Sequence, residues 1–269
     1  MQESKNNTSP GCVYYVGDTS EFKTRNRAEW ERNAQFWMQG KMRHLTDVYD
    51  TVVLELTQIL GSVDKPKPDI LVVDTGCGEG WTIRALRDAG FSGRYVGLDF
   101  NPPFIHSLKE QYAHDPSKEF RLHDMENPLP EDLISSADLV LNFFNLFELP
   151  QLDTAFRNIS QLLTIGGSLL ILHIDVMTQL LAVSTSLDEL RRNLRLYEQH
   201  RTCLGYDKDI DIGDNRSGRF YRSLLYSASD YFRCAKAQGL TYANFHEIVK
   251  TGNYVPQIYQ ILQFRRPEE

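Results

Sequence analysis

The middle of the chain alternates short runs of branched apolar residues with amphipathic segments. This alternation predicts a parallel sheet that is covered by helices on both faces. Right-handed crossovers then place every loop that follows a strand at one edge of the sheet, where ligands of such sheets bind. We expect strands at 70–73, 95–98, 120–122, 138–142 and 168–174, with helices at 82–89, 102–111 and 152–163 between them.

The regions on either side of this alternation have different patterns. Residues 1–20 are polar and predict a tail, with Tyr14 and Tyr15 as candidate anchors. Residues 21–60 have a helical pattern, because apolar side chains recur at the three-and-four spacing that forms one stripe. A final helix at 229–238 and strands at 242–248 and 259–264 bring the sheet to seven strands.

The alternation stops after Asp175. Residues 176–222 contain one helical stretch, at 187–200, and a charged loop that carries glycines. A connection of this length inside a compact domain is usually a functional lid or a disordered segment. We interpret it as a cap that is inserted over the ligand-binding edge of the sheet.

Composition excludes several classes of protein. The formal net charge is −7 and the pI about 5.5, which argues against a nucleic-acid-binding face. No apolar run is long enough to cross a membrane, and the polar start lacks the apolar core of a secretory signal. The four cysteines have no zinc-binding spacing. We therefore expect a cytoplasmic protein without a metal centre, either a monomer or a homodimer.

The most informative stretch runs from Ile70 to Gly80 and joins a predicted strand to a predicted helix. Its sequence ends in Asp74-Thr-Gly76-Cys77-Gly78-Glu79-Gly80. Glycines at such a junction allow a tight turn and a close approach of the backbone to a ligand. The amides at the start of the following helix then face that ligand. A plain strand–helix turn uses the same residues, so this loop alone is weak support for a binding site.

Two acidic residues after the loop strengthen this interpretation. Asp99 ends the second strand, where a carboxylate can accept both hydroxyl groups of a ribose. Asp124 lies near the end of the third strand, where it can accept the exocyclic amine of an adenine. A single acid at the end of a strand is usually solvated surface. Three such acids, Asp74, Asp99 and Asp124, around one glycine loop indicate a nucleoside site.

These motifs resemble those of class I S-adenosylmethionine-dependent methyltransferases. The match comprises Asp74 to Gly80, the acids in GLDF and LHDM, the strand ADLVLN and the turn and strand IGGSLLILHI. The resemblance implies a Rossmann-like α/β fold, S-adenosyl-L-methionine as cofactor, and a helical lid over 21–60. It implies cofactor-binding roles for Asp74, Gly76, Cys77, Gly78, Asp99, Phe100, Asp124, Met125 and Asn142.

A nicotinamide-binding Rossmann domain is the main alternative for the glycine loop. That fingerprint requires a small third residue so that the helix packs closely on the strand. Trp81 occupies the corresponding position here, and Asp124 would have no task beside a nicotinamide cofactor. We therefore regard an NAD-dependent oxidoreductase as a remote alternative.

The methyl acceptor would bind beside the cofactor, at the same edge of the sheet. Glu148 after the fourth strand and His173 at the end of the fifth are candidate catalytic residues. A helix N-terminal acid and a core histidine are the competing interpretations of these two residues. Candidate substrate-binding residues, by position or by resemblance to small-molecule methyltransferases, are Trp37, Asp175, Arg222 and Tyr226.

Taken together, the sequence predicts methyl transfer to an O or N atom of a small metabolite, of natural-product type. The cap argues for a compact acceptor, and the negative charge argues against a polynucleotide. The alternative is a protein that binds S-adenosylmethionine without turnover, as a sensor or partner subunit.

Overall fold

A computed structural model of the chain describes residues 13–38, 46–209, 220–250 and 257–268. Its helices are α1 (Thr19–Met38), α2 (Thr46–Ser62), α3 (Trp81–Asp88), α4 (Pro102–Gln111), α5 (Leu152–Leu162), α6 (Val176–Ala182), α7 (Leu187–His200) and α8 (Ala228–Ala237). Its strands are β1 (Val13–Tyr15), β2 (Leu71–Thr75), β3 (Arg94–Asp99), β4 (Lys118–Leu122), β5 (Ala137–Phe143), β6 (Leu163–Ile174), β7 (Leu204–Asp209), β8 (Phe220–Leu224), β9 (Thr241–Lys250) and β10 (Gln257–Arg265).

A seven-stranded sheet forms the centre of the protein, in the order β4-β3-β2-β5-β6-β10-β9. Strands β2 to β6 are parallel to one another, and β10 is antiparallel to both β6 and β9. This confirms the expected α/β fold with a mostly parallel sheet of seven strands. The carboxyl ends of β2, β3, β4 and β5 lie side by side, and we call this boundary of the sheet the ligand edge.

Helices cover both faces of the sheet. The apolar stripes of α5 and α8 pack on one face, through side chains such as Phe156 and Tyr231. The stripes of α2, α3 and α4 pack on the other, through side chains such as Val52 and Leu108. Helix α2 is therefore a covering helix of the sheet. The expectation of a lid over 21–60 fits only α1, because the apolar stripe of α2 is buried against the sheet.

The expected cap over 176–222 contains α6, α7, β7 and the start of β8. Strand β1, from the other end of the chain, joins β7 and β8 in a small antiparallel sheet in the order β1-β7-β8. The tail prediction for 1–20 is wrong at Val13–Tyr15, because these residues pair with Tyr206 to Leu204 of β7. An apolar core of its own, which includes Val13, Leu180 and Leu204, holds this unit together. Most of the charged loop, at 210–219, and the first twelve residues lie outside the described part of the chain.

A buried carboxylate fixes the start of β2, the strand that leads into the glycine loop. Asp138 on the neighbouring β5 accepts a hydrogen bond from the amide of Leu71 at 2.9 Å. The ammonium group of Lys65 lies 2.5 Å from the other oxygen of the same carboxylate. Asp138 therefore satisfies a strand amide and carries a paired charge in a position with 5% exposure.

Replacement of this carboxylate should measurably lower the stability of the fold. We expect Asp138→Ala to reduce the free energy of unfolding by about 1–3 kcal/mol, because it leaves the Leu71 amide without its acceptor. Urea denaturation followed by circular dichroism measures the change. Arg191→Ala is the matched control, since its ion pair with Asp188 is exposed and should be worth less than about 1 kcal/mol. Equal losses in the two variants would contradict the assignment.

Candidate functional site

The glycine loop after β2 folds back onto the end of β3. The amides of Gly76 and Cys77 both donate to the carbonyl oxygen of Leu98, at 2.7 and 3.0 Å. Gly76 has a φ of 76°, and a Cβ at this position would lie 2.4 Å from the side chain of Asn145. Only glycine fits both the left-handed backbone and this close approach. The loop is therefore built against β3 on one side and the segment after β5 on the other.

Asp74 lies beneath the loop and organises it. Its carboxylate accepts hydrogen bonds from the hydroxyl groups of Tyr95, at 2.7 Å, and of Thr82. Burial raises the pKa of Asp74 to about 6, although both hydroxyl groups favour the ionised form. The carboxylate thus ties β2 to β3 and to the first turn of α3. Direct contact between Asp74 and the cofactor stays a prediction.

Asp99, at the end of β3, is bound by the backbone of the neighbouring loops. One carboxylate oxygen accepts from the amide of Gly78 at 2.9 Å, and the other accepts from the amide of Asn101 at 2.8 Å. The residue is 6% exposed, and burial raises the pKa of its carboxyl group to about 6. The two amides orient the carboxylate at the ligand edge and join it to the glycine loop.

Asp124 follows β4 and is paired with cations from α1. The Lys23 ammonium lies 2.7 Å from the Asp124 carboxylate, and the Arg27 guanidinium donates to the same oxygen. The amide of Glu126 donates to the other oxygen at 3.0 Å. Burial opposes ionisation, but these hydrogen bonds and positive charges outweigh it and keep the pKa of Asp124 below its ordinary value.

The Phe100 ring lies beside Asp124 and beneath the same guanidinium. The central carbon of the Arg27 guanidinium stands 5.3 Å from the centroid of that ring, within the range of a cation–π interaction. The structure thus brings the predicted residues Phe100 and Asp124 together and adds Arg27, which the sequence analysis did not select.

Three other predicted cofactor residues shape the site through buried contacts. The Asn142 amide group donates to the Thr75 hydroxyl at 2.9 Å, and its carbonyl oxygen accepts from the amide of Leu146 at 3.2 Å. The carbonyl oxygen of Met125 accepts from the side chain of Asn158 at 2.7 Å. The thiol of Cys77 packs against β3, and its pKa is raised by burial. These contacts fix the loops in which the residues lie.

Helix α1 crosses the ligand edge. Asn101, after β3, donates its side-chain amide to the carbonyl oxygen of Trp30 at 3.1 Å. Asn26 donates to the carbonyl oxygen of Glu148, after β5, at 3.5 Å. Together with the ion pairs to Asp124, these hydrogen bonds attach α1 to the segments that follow β3, β4 and β5. Trp37 lies near the end of this helix, with its ring 5.5 Å from that of Trp30.

The two candidate catalytic residues occupy different environments. Glu148 is buried in the turn after β5. Burial raises the pKa of Tyr206 on the cap strand β7, and the charge of Glu148 raises it further. His173 is buried in the core, with its ring 4.7 Å from that of Tyr231 and its Nδ1 3.1 Å from the carbonyl oxygen of Ile174. Burial lowers the pKa of His173 to about 4, so its imidazole is neutral at pH 7.

The remaining predicted substrate residues have structural contacts. Asp175 caps α6 by accepting from the amide of Met177 at 2.8 Å, and it also accepts from Gln260 at 3.2 Å. The Tyr226 hydroxyl donates to the carbonyl oxygen of Leu149 at 3.0 Å, which ties the chain leaving the cap to the segment after β5. Arg222 belongs to β8, and its side chain lies outside the described part of the structure. Substrate roles for these residues stay predictions.

Sequence reasoning missed the polar residues that reach the ligand edge from distant segments. Lys23 and Arg27 lie one helical turn apart on α1, and that spacing was the only available signal for their common target. No pattern in the sequence indicated the contacts of Asn145, Asn158 and Tyr206, because their partners lie on other segments of the chain.

The described residues do not support two other kinds of site. Within them, no group of three or more His, Cys, Asp or Glu side chains is arranged to hold a metal ion. None of the helices in the same ranges combines the length and the apolar character that crossing a membrane requires.

Comparison with known proteins agrees with this geometry. Residues 73–171 match the family profile described as a methyltransferase domain. The putative methyltransferase 235L of Invertebrate iridescent virus 6 is 27% identical over 149 residues, which are 55% of this chain and 54% of that protein. The polyketide methyltransferase ustM of Ustilaginoidea virens is 32% identical over 110 residues, 38% of this chain and 25% of that protein. The chain therefore spans about half the length of the viral protein and about a quarter of the polyketide methyltransferase.

A solved structure extends the likeness of the fold to nearly the whole chain. The 1,6-didemethyltoxoflavin N1-methyltransferase of Burkholderia thailandensis, determined with S-adenosylhomocysteine, superposes with a TM-score of 0.61 at 13% identity. The superposition covers 95% of each chain. From the family match and the strand order together, residues 73–171 carry a methyltransferase domain, and the chain has the fold of the superposed S-adenosylhomocysteine-bound methyltransferase.

Proposed function

We propose that the protein transfers a methyl group from S-adenosyl-L-methionine to an O or N atom of a small metabolite of natural-product type. The observation that carries this proposal is the placement of Asp99, Phe100 and Asp124 around one glycine loop, beneath α1. The polyketide methyltransferase among the relatives supports the acceptor class, since its name assigns it to a polyketide.

The residues at the ligand edge fit an adenosine. Asp99 is held by two amides with its carboxylate at the end of β3, where it would accept the two ribose hydroxyl groups. Phe100 would flank the adenine, while Asp124 would accept its amino group and the Met125 segment would lie along its edge. Gly76, Cys77 and Gly78 would line the methionine part with their backbone, and Asn142 would lie beneath it.

The bound cofactor supplies an electrophilic methyl group on a sulfonium, so the protein mainly has to position the acceptor and exclude water. The cap and α1 serve this purpose. The segment from β8 to Tyr226 packs on the turn after β5, with Leu224 and Tyr226 in the same apolar core as Leu146 and Phe147. An acceptor between the cap and the ligand edge would be enclosed on two sides, which favours a compact molecule.

The acceptor side offers one acid and one weak base. Glu148 lies near the phenol of Tyr206, at the boundary between the turn after β5 and the cap. This carboxylate is our candidate for holding the acceptor's proton, or for orienting an acceptor amine. His173 has a pKa of about 4 and is a poor proton acceptor at neutral pH, so we expect it to position the site through Tyr231.

Turnover with small metabolites is the first test of this function. We expect the protein to form S-adenosylhomocysteine from labelled S-adenosylmethionine only when a metabolite extract is added, because the acceptor provides the nucleophile. Chromatography of the labelled product measures the transfer. Methylation of tRNA in place of any metabolite would contradict the acceptor class. Cofactor binding without product in any extract would favour a sensor or partner subunit.

Asp99 provides the sharpest test of the cofactor site. We expect Asp99→Asn to weaken S-adenosylhomocysteine binding about 10- to 100-fold, as expected for losing a charged hydrogen-bond acceptor. The new amide group would also place a donor against the amide of Gly78 or Asn101. Isothermal titration calorimetry measures the dissociation constant. Glu110→Gln, an exposed acid on the neighbouring α4, is the control and should bind like the wild type. Unchanged affinity of the Asp99 variant would refute the ribose assignment.

The raised pKa of Asp99 predicts that cofactor binding depends on pH. The hydroxyl groups of a ribose bind to the carboxylate form, whereas the free protein holds a proton on Asp99 below a pKa of about 6. Binding must then release that proton, so affinity should fall as the pH drops through 6, by up to about tenfold per unit.

Titrations of S-adenosylhomocysteine between pH 5 and 8, the window about the Asp99 pKa, measure this dependence. Asp74 titrates near the same pH, so Asp99→Asn is the necessary comparison. The variant should lose most of the dependence, because Asp124 has a lowered pKa and stays ionised in this range. An equally steep profile in the variant would assign the effect to Asp74 or to Glu79, because burial raises the pKa of Glu79 to about 7.

A further inference from the structure

Arg27 makes the same two contacts that the adenine would make. Its guanidinium covers the Phe100 ring at 5.3 Å and donates to a carboxylate oxygen of Asp124. A guanidinium is planar, carries N–H donors at its rim and stacks on aromatic faces. An adenine has the same three properties through its ring system and its amino group. Arg27 therefore satisfies the ring and the carboxylate in the way that the proposed ligand would.

The two groups would compete for the same face of Phe100 and the same oxygen of Asp124. A Phe100 face that is covered by a guanidinium is closed to a second planar group, and the Asp124 oxygen already accepts from Arg27 and Lys23. Ligand binding must then separate Arg27 from Phe100 and Asp124. The free energy of these contacts is subtracted from the ligand's affinity.

The surroundings allow Arg27 to leave without unfolding the lid. The Arg27 side chain is 37% exposed, so solvent can receive its charge. Lys23 has a second partner in Glu126, at 2.5 Å, and keeps this part of α1 attached. The contacts of Asn101 with Trp30 and of Asn26 with Glu148 also hold α1 in place. A rotation of the Arg27 side chain would uncover the Phe100 face and one acceptor position of Asp124 while α1 stays in place.

We propose that Arg27 is a gate for the adenine subsite, which competes with the cofactor for Phe100 and Asp124 and swings into solvent when the cofactor binds. This inference rests on the proposed function, since it takes Phe100 and Asp124 as the adenine-binding pair. It adds that a residue of the lid lowers cofactor affinity and makes that affinity depend on salt.

Removal of the gate should strengthen binding, whereas removal of an ordinary binding residue weakens it. We expect Arg27→Ala to lower the dissociation constant of S-adenosylhomocysteine about three- to tenfold, as expected for a partly exposed ion pair with a cation–π contact. Raising the salt concentration should strengthen binding to the wild type by screening the Arg27–Asp124 pair. The variant should show less of this effect.

The control is Arg25→Ala, on the same helix. Among the ion pairs of the described residues, Arg25 takes part in one, with the exposed Glu21. It should bind like the wild type. Arg27→Gln provides a second variant without the charge, for use if the alanine variant is unstable in thermal melts. Calorimetry at low and at physiological salt gives the dissociation constants.

Weaker binding by both Arg27 variants would overturn the gate and place Arg27 among the ligand's contacts. Unchanged binding would overturn it as well. These failures leave the proposed function intact, because the wild type would still bind S-adenosylhomocysteine and Asp99→Asn would still lose it. If the wild type shows no binding under any condition, the proposed function fails with the gate.

Discussion

The hydrogen bonds that Asp99 accepts from the amides of Gly78 and Asn101 connect the parts of the site. One amide belongs to the glycine loop after β2, and the other to the segment that starts α4. The carboxylate therefore fixes the distance between two loops that follow different strands. Its burial is unfavourable for a charge, and the two amides offset only part of that cost, since the pKa of Asp99 stays raised. The same feature makes the carboxylate available in one defined orientation at the ligand edge.

The second constraint is the attachment of α1 across the ligand edge. Its polar contacts reach Asn101, Asp124 and the Glu148 backbone, each of which follows a different strand. Apolar contacts add to them, because Phe22 lies in the main core and Trp30 packs against Phe104 of α4. Asn26 and Asn101 are buried, so breaking their hydrogen bonds to open the whole helix would be costly. The Arg27 side chain is 37% exposed, so it can move while the rest of α1 keeps its contacts.

Much of the fold could be predicted because it depends on local patterns. The alternation of apolar strands and amphipathic helices predicted the parallel core, and α4 and α7 have the predicted bounds. Asp99 and Asp124 could be placed because the carboxyl ends of parallel strands meet at one edge. The cap's sheet could not be predicted, because β1 and β7 are far apart in the sequence and β1 has only three residues.

The sequence by itself determined the sheet, the glycine loop and the acids at the ends of its strands, since periodicity and position after a strand specify these features. Only the tertiary structure decided what those acids contact. It placed Asp74 beneath the loop with Thr82 and Tyr95, and it brought Arg27 over Phe100 and onto Asp124. An exposed arginine on a helix has no local pattern that identifies its partner, because the long side chain can reach several directions. Its target depends on how α1 is packed against the sheet.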